Sequence, residues 1–253
     1  MLLLLVFAVI TFLVALGLVK LIDKFLPRNA RFIVSIVLWA VCGVLTYLIY
    51  ASVMKPINFE KAKNERYEIA VKKLLDIKKA ELGYKTLHGK YTDSFDELVR
   101  FVENDKFPII SRKDTAVIDA ERNAAFRITT DATGKGGFFK DVVIIDTLGY
   151  ISVKDSLFKN TDRYKRLNEV KIDELTVPIT LQTGEVERSD IKMPVFQAVI
   201  DKNAILKGLD EELIEQENRV ESIEEINGDE IKLGSLEDVT VTGNWPKKYG
   251  NNE

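Results

Sequence analysis

Two stretches near the start of the chain hold no charged side chain, residues 1–19 and residues 32–53. At about 1.5 Å per helical residue, each is long enough to cross a hydrocarbon core ~30 Å thick. The pattern predicts a transmembrane hairpin over residues 1–54, with one span in each stretch. Tyr47 and Tyr50 fall near the end of the second span, where amphipathic rings favour the membrane interface. No basic residue precedes the first span and no A-x-A site follows it, so it reads as a retained span rather than a cleaved leader. Between the spans, Lys20, Lys24, Arg28 and Arg31 stand against Asp23 alone. So dense a positive loop is expected on the cytoplasmic side, which sends both chain ends to the other face.

Beyond the spans the period becomes helical. Tyr67, Val71, Leu74, Ile77, Ala80, Tyr84 and Leu87 recur at steps of three and four, one stripe of a stem helix over 57–88. Pro56 marks its start and Gly89 its end. Ser94 is placed to cap a second helix, with Glu97 as its capping-box partner and Phe95, Leu98, Val99 and Val102 as its apolar face. Residues 55–105 are therefore read as stem and elbow. Past Phe107 the period shifts towards two. Strands are expected in FRITT (126–130), FKDVVIID (139–146), GYISVKD (149–155), ELTVPITLQ (174–182), MPVFQAVI (193–200) and DVTVT (238–242). TDATGKGG (130–137) and QTGE (182–185) read as hairpin tips. The fold class is a membrane-anchored α+β chain, in which an antiparallel sheet with short helices, residues 106–253, packs on the stem.

Composition changes this picture in three ways. The chain has 253 residues, of which 46% are hydrophobic and 30% charged, with one Cys and one His. One cysteine excludes an intrachain disulfide framework and a cysteine-based zinc site, and one histidine removes most His-base and metalloenzyme schemes. Charge is unevenly spread: Ile57–Lys90 has nine basic and five acidic groups, whereas residues 91–253 have 22 basic and 33 acidic. That balance argues against nucleic acid as a partner. The segment 209–230 is the acidic extreme and reads as a solubilising surface with a short helix.

The sequence holds none of the common catalytic motifs. GKGG at 134–137 lacks the P-loop pattern, with Thr129 where the first glycine belongs and Gly136 after Lys135. G-x-S-x-G, H-E-x-x-H and C-x-x-C are absent, and His88 at a helix end suits a dipole role. The expectation is a protein that is not an enzyme and has no cofactor and no metal.

The stretch KKLLDIKKAELGYKTLHGKYTDSFDELVRFV resembles the point in type IV pilins and type II secretion pseudopilins where the stem helix gives way to a short helix. The matching positions are Tyr84, Gly89, Tyr91, Ser94, Phe95, Glu97 and Leu98; Thr92 stands where that family has Pro. The resemblance implies a sharp chain reversal at Gly89, with Tyr91 packed back on the stem near Tyr84 and Leu87. The ending EIKLGSLEDVTVTGNWP (230–246), together with the stem, resembles a group of uncharacterised Bacteroidota envelope proteins. That implies a Gram-negative inner membrane, multi-pass anchoring and a periplasmic domain. The expected job is a scaffold or assembly subunit of a secretion- or pilus-like machine. Its partners would be the membrane and other envelope proteins, with a homo-oligomer left open. The alternative is a periplasmic sensor module that binds a ligand or a partner.

Overall fold

A computed structural model describes residues 28–128, 136–159 and 161–251, with Gly17 and Lys20 besides. Most of the expected first span and of the loop after it lies outside the described residues, as does most of the expected tip at 130–137. The chain divides into two compact units, Met1–Lys61 and Ala62–Glu253.

One helix, α1 (Arg28–His88), runs through 61 residues. Its N-terminal part is long and apolar enough to cross a membrane by length and composition, and Trp39, Leu45, Tyr47 and Ile49 are all exposed on it. Pro56 does not start a new helix but lies inside α1. Without an N–H it cannot bond the carbonyl four residues back, a local loss that the turns on either side outlast.

In the second unit, the stripe of α1 is the core. Tyr67, Ala70, Val71, Leu74, Ile77 and Ala80 are fully buried, Tyr84 nearly so and Leu87 half-buried. A short helix follows, α2 (Phe95–Asn104), which buries Leu98, Phe101 and Val102. Then come β1 (Lys106–Ile118), α3 (Ala120–Ala125), β2 (Phe139–Ser152) and α4 (Val153–Phe158). Two short strands, β3 (Glu169–Ile172) and β4 (Leu175–Pro178), precede β5 (Thr180–Arg188) and β6 (Ile191–Asp201). Helices α5 (Lys202–Leu206) and α6 (Glu211–Arg219) and strand β7 (Glu230–Gly234) complete the set.

Among the described residues the fold is α+β with antiparallel pairing, and the strands form three small sheets rather than one: β1-β2, β3-β4 and β5-β6-β7. Several local expectations are corrected. The described part of FRITT, Phe126–Ile128, is not strand. Arg127 takes φ 51°, and its N–H and that of Ile128 bond the carbonyls of Ala124 and Asn123, a Schellman ending to α3. QTGE is not a turn but lies inside β5, with Gly184 opposite Val195. The tip of that hairpin is Ser189–Asp190, both at positive φ, the two-residue geometry that matches strand twist. ELTVPITLQ is split between β4 and β5, and GYISVKD between β2 and α4. DVTVT forms no named strand: the Ser235 hydroxyl takes the N–H groups of Glu237 and Asp238, Thr240 takes that of Thr242, and the segment meets β7 where the Thr242 carbonyl accepts the Gly234 N–H. Strand β1 was not expected, because Pro108 and the polar run Ser111–Asp114 mask it. As an edge strand it tolerates a residue without an N–H.

Candidate functional site

Two polar constellations stand out in the second unit. The first is the elbow. Helix α1 closes at His88, and Gly89 follows at φ 73°, donating its N–H to the Lys85 carbonyl at 2.8 Å. A side chain at that φ would crowd its own backbone, which is why glycine serves. The Ser94 hydroxyl accepts the Glu97 N–H and so caps α2. The reciprocal half of the capping box is not made. The Ser94 N–H goes to the Thr92 hydroxyl, and the Glu97 carboxylate instead accepts Thr92 Oγ1–H at 2.8 Å and the Tyr84 hydroxyl at 3.4 Å. Thr92 supplies the hydroxyl that turns Glu97 away. Burial, and then Glu97, push the Tyr84 phenol above its ordinary range.

Tyr91 is buried, and its ring packs on Phe196 of β6, 4.7 Å between ring centroids. The link to the stem is Lys85, whose ammonium lies over the ring and donates to the hydroxyl at 3.3 Å. Tyr84 stacks on His88 at 4.2 Å and meets Phe101 edge-on. Leu98 is buried beneath α2. Of the residues singled out from the sequence, the elbow therefore joins Tyr84, Ser94 and Glu97 through hydrogen bonds, while Tyr91 is joined to β6.

Glu81 lies one turn before Tyr84 and is fully buried. One carboxyl oxygen accepts the Thr92 N–H at 3.3 Å; the other has no hydrogen-bond partner among the described residues. Burial pushes its pKa up to about 8, so the group is mostly a neutral acid at pH 7. A groove of about 390 Å³ opens beside the elbow, bounded by Lys90, Thr92, Asp93 and Glu97 on one side and Thr183, Glu185 and Pro194 on the other.

The second constellation is an ion-pair network on α1, α5 and α6. Lys202, fully buried, donates to the carbonyls of Gly228 (2.7 Å), Ile226 (2.8 Å) and Glu217 (3.3 Å), with the Glu217 carboxylate 3.5 Å away. Lys63, also buried, reaches Glu217 at 3.0 Å and Glu225 at 3.2 Å. Lys248 closes on Glu225 at 2.7 Å, and Tyr67 donates its hydroxyl to Glu217. Burial and the Glu217 charge push the Tyr67 phenol far above its ordinary range. Burial lowers the Lys202 ammonium. For Glu225, burial works upward, but Lys248 and Lys63 outweigh it and hold the carboxyl below its ordinary value. The acidic segment is thus not all surface: Glu217 and Ile226 are buried. Such a network, with each charge paired and bonded, welds elements together.

None of the network was legible from motif spacing. The GNW ending has a structural explanation. A Cβ on Gly243 would strike the Trp245 ring, and Asn244 bonds Lys232 N–H and the Glu230 carbonyl, fastening the tail to β7. Among the described residues there is no group of three or more His, Cys, Asp or Glu suited to a metal ion. The chain matches no protein-family model, and no curated protein or solved structure is similar to it.

Proposed function

We propose that this protein is a membrane-anchored scaffold or assembly subunit of the bacterial envelope that works by holding a folded domain, not by catalysis. The observation that carries the reading is the division of labour along α1. Its N-terminal part leaves an apolar surface exposed over residues 32–53, while its C-terminal part supplies the buried stripe of a packed domain. A helix with an uncovered apolar half suits lipid, and residues 1–19 suit a second span that makes the anchor a hairpin. The basic segment between the spans favours a cytoplasmic loop, and hence a periplasmic domain on an inner membrane. The charges of Lys63, Lys202, Glu217 and Glu225 are met by internal pairs, which suits a rigid part of an assembly.

The alternative, a sensor module that binds a ligand or partner, draws on the polar groove beside the elbow. Native electrophoresis of mildly solubilised membranes separates the two. A scaffold migrates in a discrete complex containing other envelope proteins. Migration without any other envelope protein contradicts the scaffold reading. Substitution of Lys90 and Glu185 in the groove should then leave the complex intact, whereas a sensor would lose its ligand response.

A further inference from the structure

The β1-β2 ribbon is long, and its two edges differ. Along β1 stand Pro108, which offers no N–H, and the charged run Arg112, Lys113 and Asp114. These are the devices that keep an edge from pairing. Strand β2 has no proline, and Val142, Val143, Ile144 and Ile145 follow one another without a charge. Such an uninterrupted apolar run belongs to a strand covered on both faces, with neighbours on both edges. Yet among the described residues β2 pairs only with β1, and Val143, Ile144 and Ile145 are 41%, 43% and 59% exposed.

The flanks of this run indicate what covers it. They read Lys140-Asp141 before and Asp146 after. Antiparallel pairing of β2 with another β2 about Val143 sets Lys140 opposite the second copy's Asp146, twice by symmetry. Val142 then meets Ile144, and Val143 meets itself. Sliding the axis by one residue, to Ile144, the smallest slip that keeps like faces together, would instead set Lys140 opposite Leu148 and Asp146 opposite Val142, and both charge pairs would be lost. We propose that β2 is a self-pairing edge, through which two copies of this chain form a continuous four-stranded sheet in the order β1-β2-β2-β1 about a two-fold axis at Val143. The interface is isologous, so it closes at a dimer and leaves the guarded β1 edges outermost.

A residue on the axis faces its own copy at about 4.5–5.5 Å between Cα atoms, within disulfide reach. The test uses the full chain in mild detergent, with Cys42→Ser removing the native thiol. Val143→Cys should give a covalent dimer in high yield on mild oxidation. Ile145→Cys should not, because its symmetry mate lies four residues along, roughly 13 Å away. Adding Lys140→Glu should lower the Val143→Cys yield, with dimer affinity falling about tenfold as two attractive pairs become repulsive. Adding Asp146→Lys as well should restore it. Equal cross-linking at both positions would overturn the pairing. So would a folded, monomeric Val143→Cys protein, or Val143→Cys monomeric and shielded by lipid when reconstituted in vesicles, which would mean that the ribbon lies on the membrane.

Discussion

Lys202→Met isolates the buried network. Methionine keeps most of the apolar length of the side chain but removes the ammonium, which donates at 2.7 and 2.8 Å to two carbonyls and at 3.3 Å to a third. Hydrogen bonds from a charged donor contribute about 1.5–3 kcal/mol each, and breaking a buried pair from one side costs about 3–5 kcal/mol. Glu217 keeps Lys63 at 3.0 Å, so its charge is not wholly orphaned. The loss expected is about 3–5 kcal/mol. At about 2–4 °C per kcal/mol for a unit of this size, the midpoint should fall by roughly 6–20 °C. Near-ultraviolet circular dichroism of the detergent-solubilised protein is a suitable assay, since Trp245, Tyr67 and Tyr164 are all buried in this unit. Lys171→Met is the control: Lys171 is exposed on β3 and should shift stability by no more than ~0.5 kcal/mol. A Lys202→Met protein melting within about 2 °C of the parent would refute the view that the network holds α1, α5 and α6 together.

Three further outcomes follow from the geometry. Glu81 has its folded pKa raised to about 8, so its favourable contribution is full below the unfolded carboxylate range and is lost as pH rises towards 8. Glu81→Gln should therefore flatten the pH dependence of the melting temperature between about pH 4.5 and 8 and stabilise the protein at pH 9; an unchanged pH profile would contradict this. Gly89 and Gly234 share a positive φ, 73° and 75°, but a Cβ on Gly89 meets nothing whereas one on Gly234 strikes the Phe196 carbonyl. Urea unfolding should show Gly89→Ala costing about 1–2 kcal/mol and Gly234→Ala distinctly more, and equal losses would argue against the close approach of β7 and β6. Tyr91→Ala should cost on the order of 3 kcal/mol and Tyr91→Phe under ~1 kcal/mol, because the ring packs on Phe196 while the hydroxyl has only the half-exposed Lys85.

The sequence was most informative where burial repeats at a fixed period. The stripe from Tyr67 to Tyr84 is legible because about five turns of helix present the same face to the core. Elements set by local competition were harder to read. DVTVT has strand composition, but the hydroxyls of Ser235 and Thr240 take the N–H groups of Asp238 and Thr242, at its two ends. Gly184 looks like a turn residue, yet the turn falls at Ser189–Asp190, whose positive φ no composition rule singles out. At the elbow, Ser94 was readable as a cap from spacing alone, whereas the partner of Glu97 depended on Thr92, and that of Tyr91 on a strand a hundred residues away. Lys202 and Glu217 meet only once the chain has folded, so no spacing in the sequence announces them.

The anchoring of α1 is the centre of this account, and the native chain carries its own probe. Cys42 is the sole cysteine and lies exposed on the apolar part of α1. Membranes holding the unaltered protein can be treated with a bulky, water-soluble maleimide before and after denaturation in a strong detergent. The account expects Cys42 to remain unlabelled in intact membranes and to label fully once the lipid is stripped away. Full labelling in the intact membrane would mean that this half of α1 lies in water, and the membrane-anchored reading would fall with it.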